Sequence, residues 1–337
     1  MMEPKLYQHP PLVTIFGGSG FIGRYAAENL AKRGYRLRIA VRCPEKAYYM
    51  RQIGDVGQLQ MFRADIGDKE AIARALSGAA AAVYLPGAFY GQGRNTLRRL
   101  HVEGAENVAQ AAAAAKIRLV HISALSAALG QKTAWLRSKA EGEERVRAAC
   151  KKAIILRPAP VFGAEDRFFN RFAEAVRFTP FIPLFGGGAA KFQPVYVGDV
   201  AEMIARAVDG QVPAGKIYEL GGSEIMSFRA LMEEMLHIIR RRRFFVRLPL
   251  LLGRLWGSIC GLAGKVPLVP VIATSGQIRL LACDSVVSAA ARQEKRSLEG
   301  VGISPRGLDV VLPAYLWRFR VHGQFSAAPR QDYDKGL

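Results

Sequence analysis

A doubly wound α/β fold, in which helices flank a parallel sheet and a smaller lobe follows towards the C-terminus, is what three features of this 337-residue chain predict. Short apolar runs alternate with amphipathic helical patterns along the first two thirds of the chain. The first run ends in a glycine-rich turn that opens a helix. Hydrophobic residues make up 50% of the chain, enough for one large core or two modest ones and too much for a disordered or fibrous protein.

The first strand, Leu12 to Phe16, runs into Gly17-Gly18-Ser19-Gly20-Phe21-Ile22-Gly23. Gly17, Gly20 and Gly23 have the spacing G-x-x-G-x-x-G: the first allows a tight turn, the second lets a pyrophosphate meet bare backbone, and the third lets helix and strand pack closely. The helix that follows carries Ile22, Ala26, Ala27 and Leu30 on one face and leads to a second strand, Leu37 to Val41. This βαβ context predicts a dinucleotide site. The second strand ends in Arg42, where an acidic residue would suit ribose hydroxyls and a basic one a 2′-phosphate. With Arg24 just after the third glycine, NADPH is favoured over NADH, unless both arginines are solvated surface charges.

A third strand, Leu59 to Arg63, leads to Asp65 and Ile66; Asp65 is placed either to meet the adenine amino group or to cap a turn. A helix over Lys69 to Leu76 and a fourth strand over Ala81 to Leu85 follow, and Leu85-Pro86-Gly87 lets backbone lie along a ribose. A long helix is expected from Asn95 to Ala115, with His101 as a packing residue, and then a fifth strand, Arg118 to Ile122, ending at Ser123. Trp135-Leu136-Arg137-Ser138-Lys139 opens the next helix, and Ala153 to Leu156 is a sixth strand.

This order of strand, serine and Y-x-x-x-K-like helix resembles the short-chain dehydrogenase/reductase superfamily in its extended or atypical form, with a Rossmann-type sheet. In that family Tyr and Lys at i and i+4 share a helix face; the Lys holds the nicotinamide ribose and lowers the Tyr pKa, and the Tyr hydroxyl transfers the proton. Lys139 and Ser123 match, but the tyrosine position holds Trp135, whose indole has only an N–H donor and cannot serve as acid or base. The site is therefore read as degenerate, with no catalytic residue of its own. Tyr90 is the candidate for an unconventional proton donor. Arg157-Pro158-Ala159-Pro160-Val161-Phe162-Gly163 resembles the R-P-x-x-x-F/Y-G element beside the nicotinamide, which adds Arg157, Pro158 and Phe162 to the cofactor-binding set.

Glu165-Asp166-Arg167-Phe168 then leads to a proline-glycine loop (Pro180, Pro183, Gly186 to Gly188), and Asp199 is the expected N-cap of the next helix. Lys216 to Leu220 reads as the last sheet strand. A helix from Ser227 to Ile239 ends in four arginines, Arg240 to Arg243, followed by a strand, Phe244 to Leu248. Residues 10–164 and 194–222 are thus expected to form the nucleotide domain, 165–193 and 223–325 the smaller interaction lobe, and 326–337 a tail. Within 250–265, Leu251, Leu252, Leu255, Trp256, Ile259, Leu262 and Ala263 share one helix face. Arg254 and Lys265 leave the run short of the roughly 20 apolar residues a span requires, so it is expected to lie at a membrane interface or on the lobe.

The net charge of +20 suits nucleic acid, anionic lipid or an acidic protein face, or is simply a basic enzyme's surface. No basic run is interleaved with aromatics and no reading helix is present, which argues against nucleic acid. The polar, proline-interrupted residues before Pro11 do not have the order of a signal peptide. Four widely spaced cysteines suit reduced thiols, with no metal site expected.

The E-D-R-F run, Val41-Arg42-Cys43, Thr274 to Asp284, and Leu312-Pro313-Ala314-Tyr315-Leu316-Trp317-Arg318-Phe319-Arg320 together resemble the short-chain-dehydrogenase-like accessory subunit of respiratory complex I (the alpha-subcomplex subunit nine family) and its alphaproteobacterial relatives. The resemblance covers nearly the whole chain. It implies a subunit that holds NADPH without turnover and docks beside other complex I subunits, where the hydrophilic arm meets the membrane near the quinone site. It also implies a peripheral place on an anionic membrane surface, on the cytoplasmic face of a bacterial inner membrane, which corresponds to the mitochondrial matrix side. The alternatives are an NAD(P)H-dependent reductase or epimerase and an NADP(H)-sensing regulator.

Overall fold

The computed structural model describes residues 10–321 except 90, 92, 94, 126, 128–132 and 250–274. Tyr90, the amphipathic segment 250–265 and the tail 326–337 lie outside the described residues. Strands β1 (Leu12–Phe16), β2 (Arg36–Val41), β3 (Leu59–Arg63), β4 (Ala79–Tyr84), β5 (Arg118–Ile122), β6 (Ile154–Pro158) and, later in the chain, β11 (Ile217–Leu220) form one seven-stranded sheet. Its order is β11-β6-β5-β4-β1-β2-β3, and every pairing is parallel. The order reverses between β1 and β4, the topological switch point at which doubly wound sheets open a crevice.

Helices α1 (Phe21–Lys32) and α6 (Val197–Asp209) cover one face, burying Ala26, Ala27, Leu30, Val200, Met203 and Ile204 against the inward side chains of β1, β2 and β6. On the other face, α2 (Lys69–Leu76), α3 (Gly104–Ala114) and α4 (Ala134–Ala149) bury Ile72, Val108 and Val146. Local chemistry sets the starts of two of these helices: the Asp68 carboxylate accepts from Ala71 N and the Thr133 hydroxyl from Leu136 N.

Four expectations need correction. The fourth strand begins and ends before the expected Ala81 to Leu85, because Ala79 already pairs with Leu12. The helix expected over Asn95 to Ala115 is not uniform, since a π turn over Arg99–Glu103 precedes α3. Gly142 of α4 packs so closely on that turn that a Cβ would sit 1.9 Å from the His101 carbonyl oxygen. Asp199 is not an N-cap: Tyr196 holds that position with no side-chain cap, and Asp199, buried in the first turn, accepts from Arg306 N at 2.8 Å. Finally, Leu298 and Ile303 join the sheet's core and Arg296 donates to Ile217 O, so this part of 223–325 sits with the nucleotide domain.

The lobe has its own core, in which Phe162, Phe168, Phe169, Phe172, Phe192 and Phe228 meet mostly edge to face. Beyond β7 (Val161–Phe162), the run after Asp166 folds as α5 (Phe169–Phe178), and the proline-glycine loop contains β8 (Phe181–Phe185). Pro183 is tolerated because β8 has one partner only. After β9 (Lys191–Phe192), β10 (Val195–Tyr196), β12 (Met226–Ser227) and α7 (Phe228–Ile239), that partner is β13 (Phe244–Leu248), parallel to β8. Two arginines of the tetra-arginine run fix this lobe, Arg241 donating to Phe319 O and Arg243 to Val176 O. The chain continues through α8 (Ser275–Leu280), α9 (Ala289–Gln293) and α10 (Leu308–Leu316). Tyr315 of α10 donates to the buried Asp166 at 2.5 Å and Arg318 to Asn170 at 2.8 Å, so the E-D-R-F run and the Y-L-W-R-F run are in contact.

Candidate nucleotide-binding site

The glycine turn between β1 and α1 needs the residues it has. Gly17 sits at φ +73°, and a Cβ there would lie 3.1 Å from Pro86 N; at Gly23 it would lie 2.4 Å from the Gly18 carbonyl oxygen. No side chain caps α1 and its first turn has no acidic residue, so the N–H groups around Phe21 and Ile22 have no competing anion. Tyr49, in the 3-10 turn Pro44–Ile53, braces the mouth of the turn through a 2.7 Å bond to Ser19 O. Gly18 packs on Ile15 and Ile39.

At the ends of β2 and β3, Arg42 donates to the Asn95 side chain. Asp65 accepts from Gly67 N and from the Arg99 guanidinium, each at 2.8 Å, so it caps a turn and holds a cation at once. Burial opposes ionisation of this carboxyl, but the Gly67 N–H, Arg99 and Arg42 outweigh it and hold the pKa below the usual range. Ile66 is buried and its carbonyl accepts from Asn107. Arg24 turns elsewhere, to Glu165 at 3.6 Å.

The other end of the crevice lies around α4. Lys139 is buried, donating to Ile122 O at 3.2 Å, and a Cβ at Gly87 would lie 3.5 Å from its Nζ. Burial pulls Lys139 down to about 8, with Glu143 on the same helix opposing the shift. Trp135 stacks on Phe89, with centroids 5.0 Å apart and planes at 23°, and His101 meets the indole edge-on. Ala88 N donates to His101 Nε2, so Nδ1 carries the proton and gives it to the Ser138 hydroxyl, which donates in turn to Trp135 O. Both ring nitrogens are thus committed, and burial holds His101 neutral with its pKa near 2. Next to Ser123 on β5, His121 is also buried and neutral, with its pKa held near 3 by burial and by Lys139.

Of the sequence-predicted set, Gly17, Gly18, Ser19, Gly20, Phe21, Ile22 and Gly23 make the turn, Leu85 and Pro86 lie directly against it, and Gly87 approaches Lys139, which bonds Ile122 O next to Ser123. Leu85 N donates to Phe16 O, tying the two stretches together. Arg157 is engaged differently: Glu143 takes its fork at 2.9 and 2.5 Å, and Glu219 lies 3.8 Å away. Pro158 pairs within the sheet, and Phe162 is fully buried against Phe169. Sequence reasoning missed Tyr49, Phe89, Asn95, Arg99 and Glu143. Glu143 carries a signal, being four residues after Lys139 on one helix face, whereas Phe89 and Asn95 lie in an irregular segment that shows no periodicity.

The residues fit a dinucleotide. The Ser123 hydroxyl is buried without a partner, and Arg24 Nε is likewise unpaired. The turn between β1 and α1 leaves no room for Cβ atoms at Gly17 and Gly23, so bare backbone lines it.

Residues 13–221 match the model of the NAD dependent epimerase/dehydratase family. The chain is 34% identical to the Arabidopsis thaliana mitochondrial protein named NADH dehydrogenase (ubiquinone) 1 alpha subcomplex subunit 9, over 82% of this chain and 71% of that protein. The Mus musculus protein of the same name is 30% identical over 94% of this chain and 82% of its own length. Among solved structures, dTDP-glucose 4,6-dehydratase from Streptomyces venezuelae, determined with NAD bound, superposes with a TM-score of 0.67 at 19% identity, covering 91% of this chain and 96% of that one.

Proposed function

The chain belongs to the NAD dependent epimerase/dehydratase family and, within it, to the group of alpha subcomplex subunit 9 proteins, and from that premise we propose that it is a non-catalytic, NADPH-holding accessory subunit of respiratory complex I. One observation carries the reading: the glycine turn and a buried Lys139 are kept, while the proton-donor position holds Trp135, stacked on Phe89 and unable to titrate. A bound nucleotide would supply a hydride donor. This chain's own residues would hold it: the glycine turn takes the pyrophosphate, Lys139 and Ser123 the nicotinamide ribose, and Arg42 the 2′-phosphate. Among the described residues beside Trp135, His101 spends both ring nitrogens on its neighbours and has no proton to give.

The lobe supports a peripheral membrane position at the junction of the hydrophilic and membrane arms, on the face that corresponds to the bacterial cytoplasm. Phe178, Phe181 and Phe244 are 70%, 50% and 79% exposed, and the register places Phe244 beside Phe181. Arg177 lies over the Phe178 ring, and β13 follows directly on the tetra-arginine run. Aromatic rings among arginines suit an anionic lipid surface. Among the described residues no helix is long and apolar enough to cross a membrane.

Isolation of the native membrane assembly tests the proposal. The chain is expected to comigrate with complex I and to release NADP(H) on denaturation. Steady oxidation of NADPH by the purified chain with a carbonyl or sugar-nucleotide substrate would instead favour the reductase or epimerase reading.

A further inference from the structure

We infer that the free edge of β3, with the cleft beside its N-terminal half, is a docking surface for an extended, acidic segment of a partner protein, which adds to the sheet as a further strand. The inference rests on the reading of the chain as a subunit of a larger assembly and names the chemistry of one contact. β3 closes one side of the seven-stranded sheet and pairs with β2 alone. Leu37 N donates to Gln58 O and Ala64 N to Val41 O, each at 2.9 Å, so the even-numbered residues of this stretch turn their backbone groups to β2. The N–H and C=O groups of Leu59, Met61 and Arg63 therefore point away from the sheet, and among the described residues they meet no hydrogen-bond partner. A cavity of about 670 Å³ is lined by β3 from Leu59 to Met61 and by the first residues of β1 and β2.

The charge beside that edge is mostly of one sign. Arg36, Arg38 and Arg51 line the cavity, and of its lining residues only Asp55 is acidic. Among the described residues none of these arginines forms an ion pair: Arg38 is held by Ala75 O and Ser77 O, each at 2.8 Å, Arg36 by Pro10 O, and Arg51 lies over the Tyr48 ring. Burial and then the neighbouring Arg36 press the Arg38 pKa down, so the cluster is short of negative charge. Cations on an edge keep a second copy of the chain away, because pairing two copies would bring like charges together; an acidic strand meets the reverse field. In strand addition the backbone bonds give affinity and alternate side chains give specificity. Exposed Val56, which also lines the cavity, adds apolar contact. The position favours a protein over lipid. The cleft lies at the N-terminal ends of the strands on the β3 side, whereas the lobe with its exposed phenylalanines follows the C-terminal end of β6, across the sheet.

The test titrates the full-length chain with a fluorescent peptide of alternating Glu and Val. The comparison probes are the same peptide N-methylated at every second residue, which blocks one edge of the strand, and a peptide of alternating Lys and Val. Wild type is expected to bind the Glu-Val peptide at least about tenfold more tightly than either comparison probe, with the margin over the Lys-Val peptide shrinking as salt rises. Arg36→Glu with Arg51→Glu, both at exposed positions, is expected to lower the Glu-Val affinity at least about tenfold with Tm unchanged, and to enter the native assembly severalfold less than wild type. Thermal melts identify misfolding; if this pair does not fold, Arg36→Gln with Arg51→Gln decides, by a smaller loss in the same direction. No binding of the Glu-Val peptide by wild type, equal binding of its N-methylated form, or unchanged affinity in a folded variant overturns the inference. So does a loss of sedimentation with anionic vesicles in the same variant, which would make lipid the occupant. If wild type comigrates with complex I and a folded variant incorporates fully, the docking surface is overturned and the assembly reading stands. A wild-type chain that stays outside complex I overturns both.

Discussion

Lys139 is an ammonium enclosed between β5 and α4, and its pKa falls to about 8 from 10.5 because burial disfavours the charged form. The folded-state value lies below the unfolded one, so the folded chain binds this proton more weakly. The resulting penalty is fully present below pH 8 and is relieved as pH rises from about 8 to 10.5. At about 1.4 kcal/mol per unit it is worth roughly 3 kcal/mol. In the nucleotide-free chain, Lys139→Met is therefore expected to raise Tm at pH 7, with the gain fading towards pH 10, and to weaken nucleotide retention; melting curves across this range check it. His121 behaves similarly at acid pH. Its folded-state value, near 3, lies below the ordinary 6.5, so stability is lost as pH falls below 6.5. His121→Phe, retaining a ring against Tyr84, is expected to shrink the stability difference between pH 8 and pH 5 by about 2 kcal/mol in denaturant titrations.

At the scale of elements, the contact between α4 and the π turn brings Ser138 and Trp135 onto His101 at the proposed nicotinamide end. Because a Cβ at 142 would meet the His101 carbonyl, Gly142→Ala is expected to cost about 1–3 kcal/mol by overpacking, measured by urea unfolding, and to weaken nucleotide binding by displacing Lys139 one turn away. That contact was not legible in the sequence. The glycine turn, the strands and the Y-x-x-x-K position were, because glycine spacing, apolar runs and i,i+4 placement are local properties. The π turn is set by a long-range approach of Gly142, and the Arg99–Asp65 pair joins residues 34 apart through tertiary packing. Asp199 shows the same limit: its position one turn into an apolar helix fits a cap by sequence, but the groups that need it come from Arg306. The E-D-R-F and Y-L-W-R-F runs were legible as signatures, while the reason they belong together, the Tyr315–Asp166 bond, required the fold.

At the scale of the whole molecule, the exposed rings on the lobe are expected to govern lipid contact. Replacing Phe178, Phe181 and Phe244 together by serine is expected to reduce sedimentation with anionic vesicles severalfold without lowering Tm, since these rings contribute little to the core. Nucleotide should stabilise the chain by mass action, by about 2.7 kcal/mol at a hundredfold excess over Kd, visible as a concentration-dependent Tm. Glu165 joins the two behaviours. It accepts from Tyr25 of α1 at 3.0 Å and faces Arg24, while the adjacent Asp166 anchors α10 through Tyr315. The helix proposed to receive the pyrophosphate and the root of the lobe are therefore joined through the adjacent Glu165 and Asp166. A cell starved of pyridine nucleotide should accumulate chains that are synthesised yet stay outside the larger assembly, so that cofactor supply acts as a licence for incorporation; native gels of depleted and replenished cells would reveal the unincorporated pool.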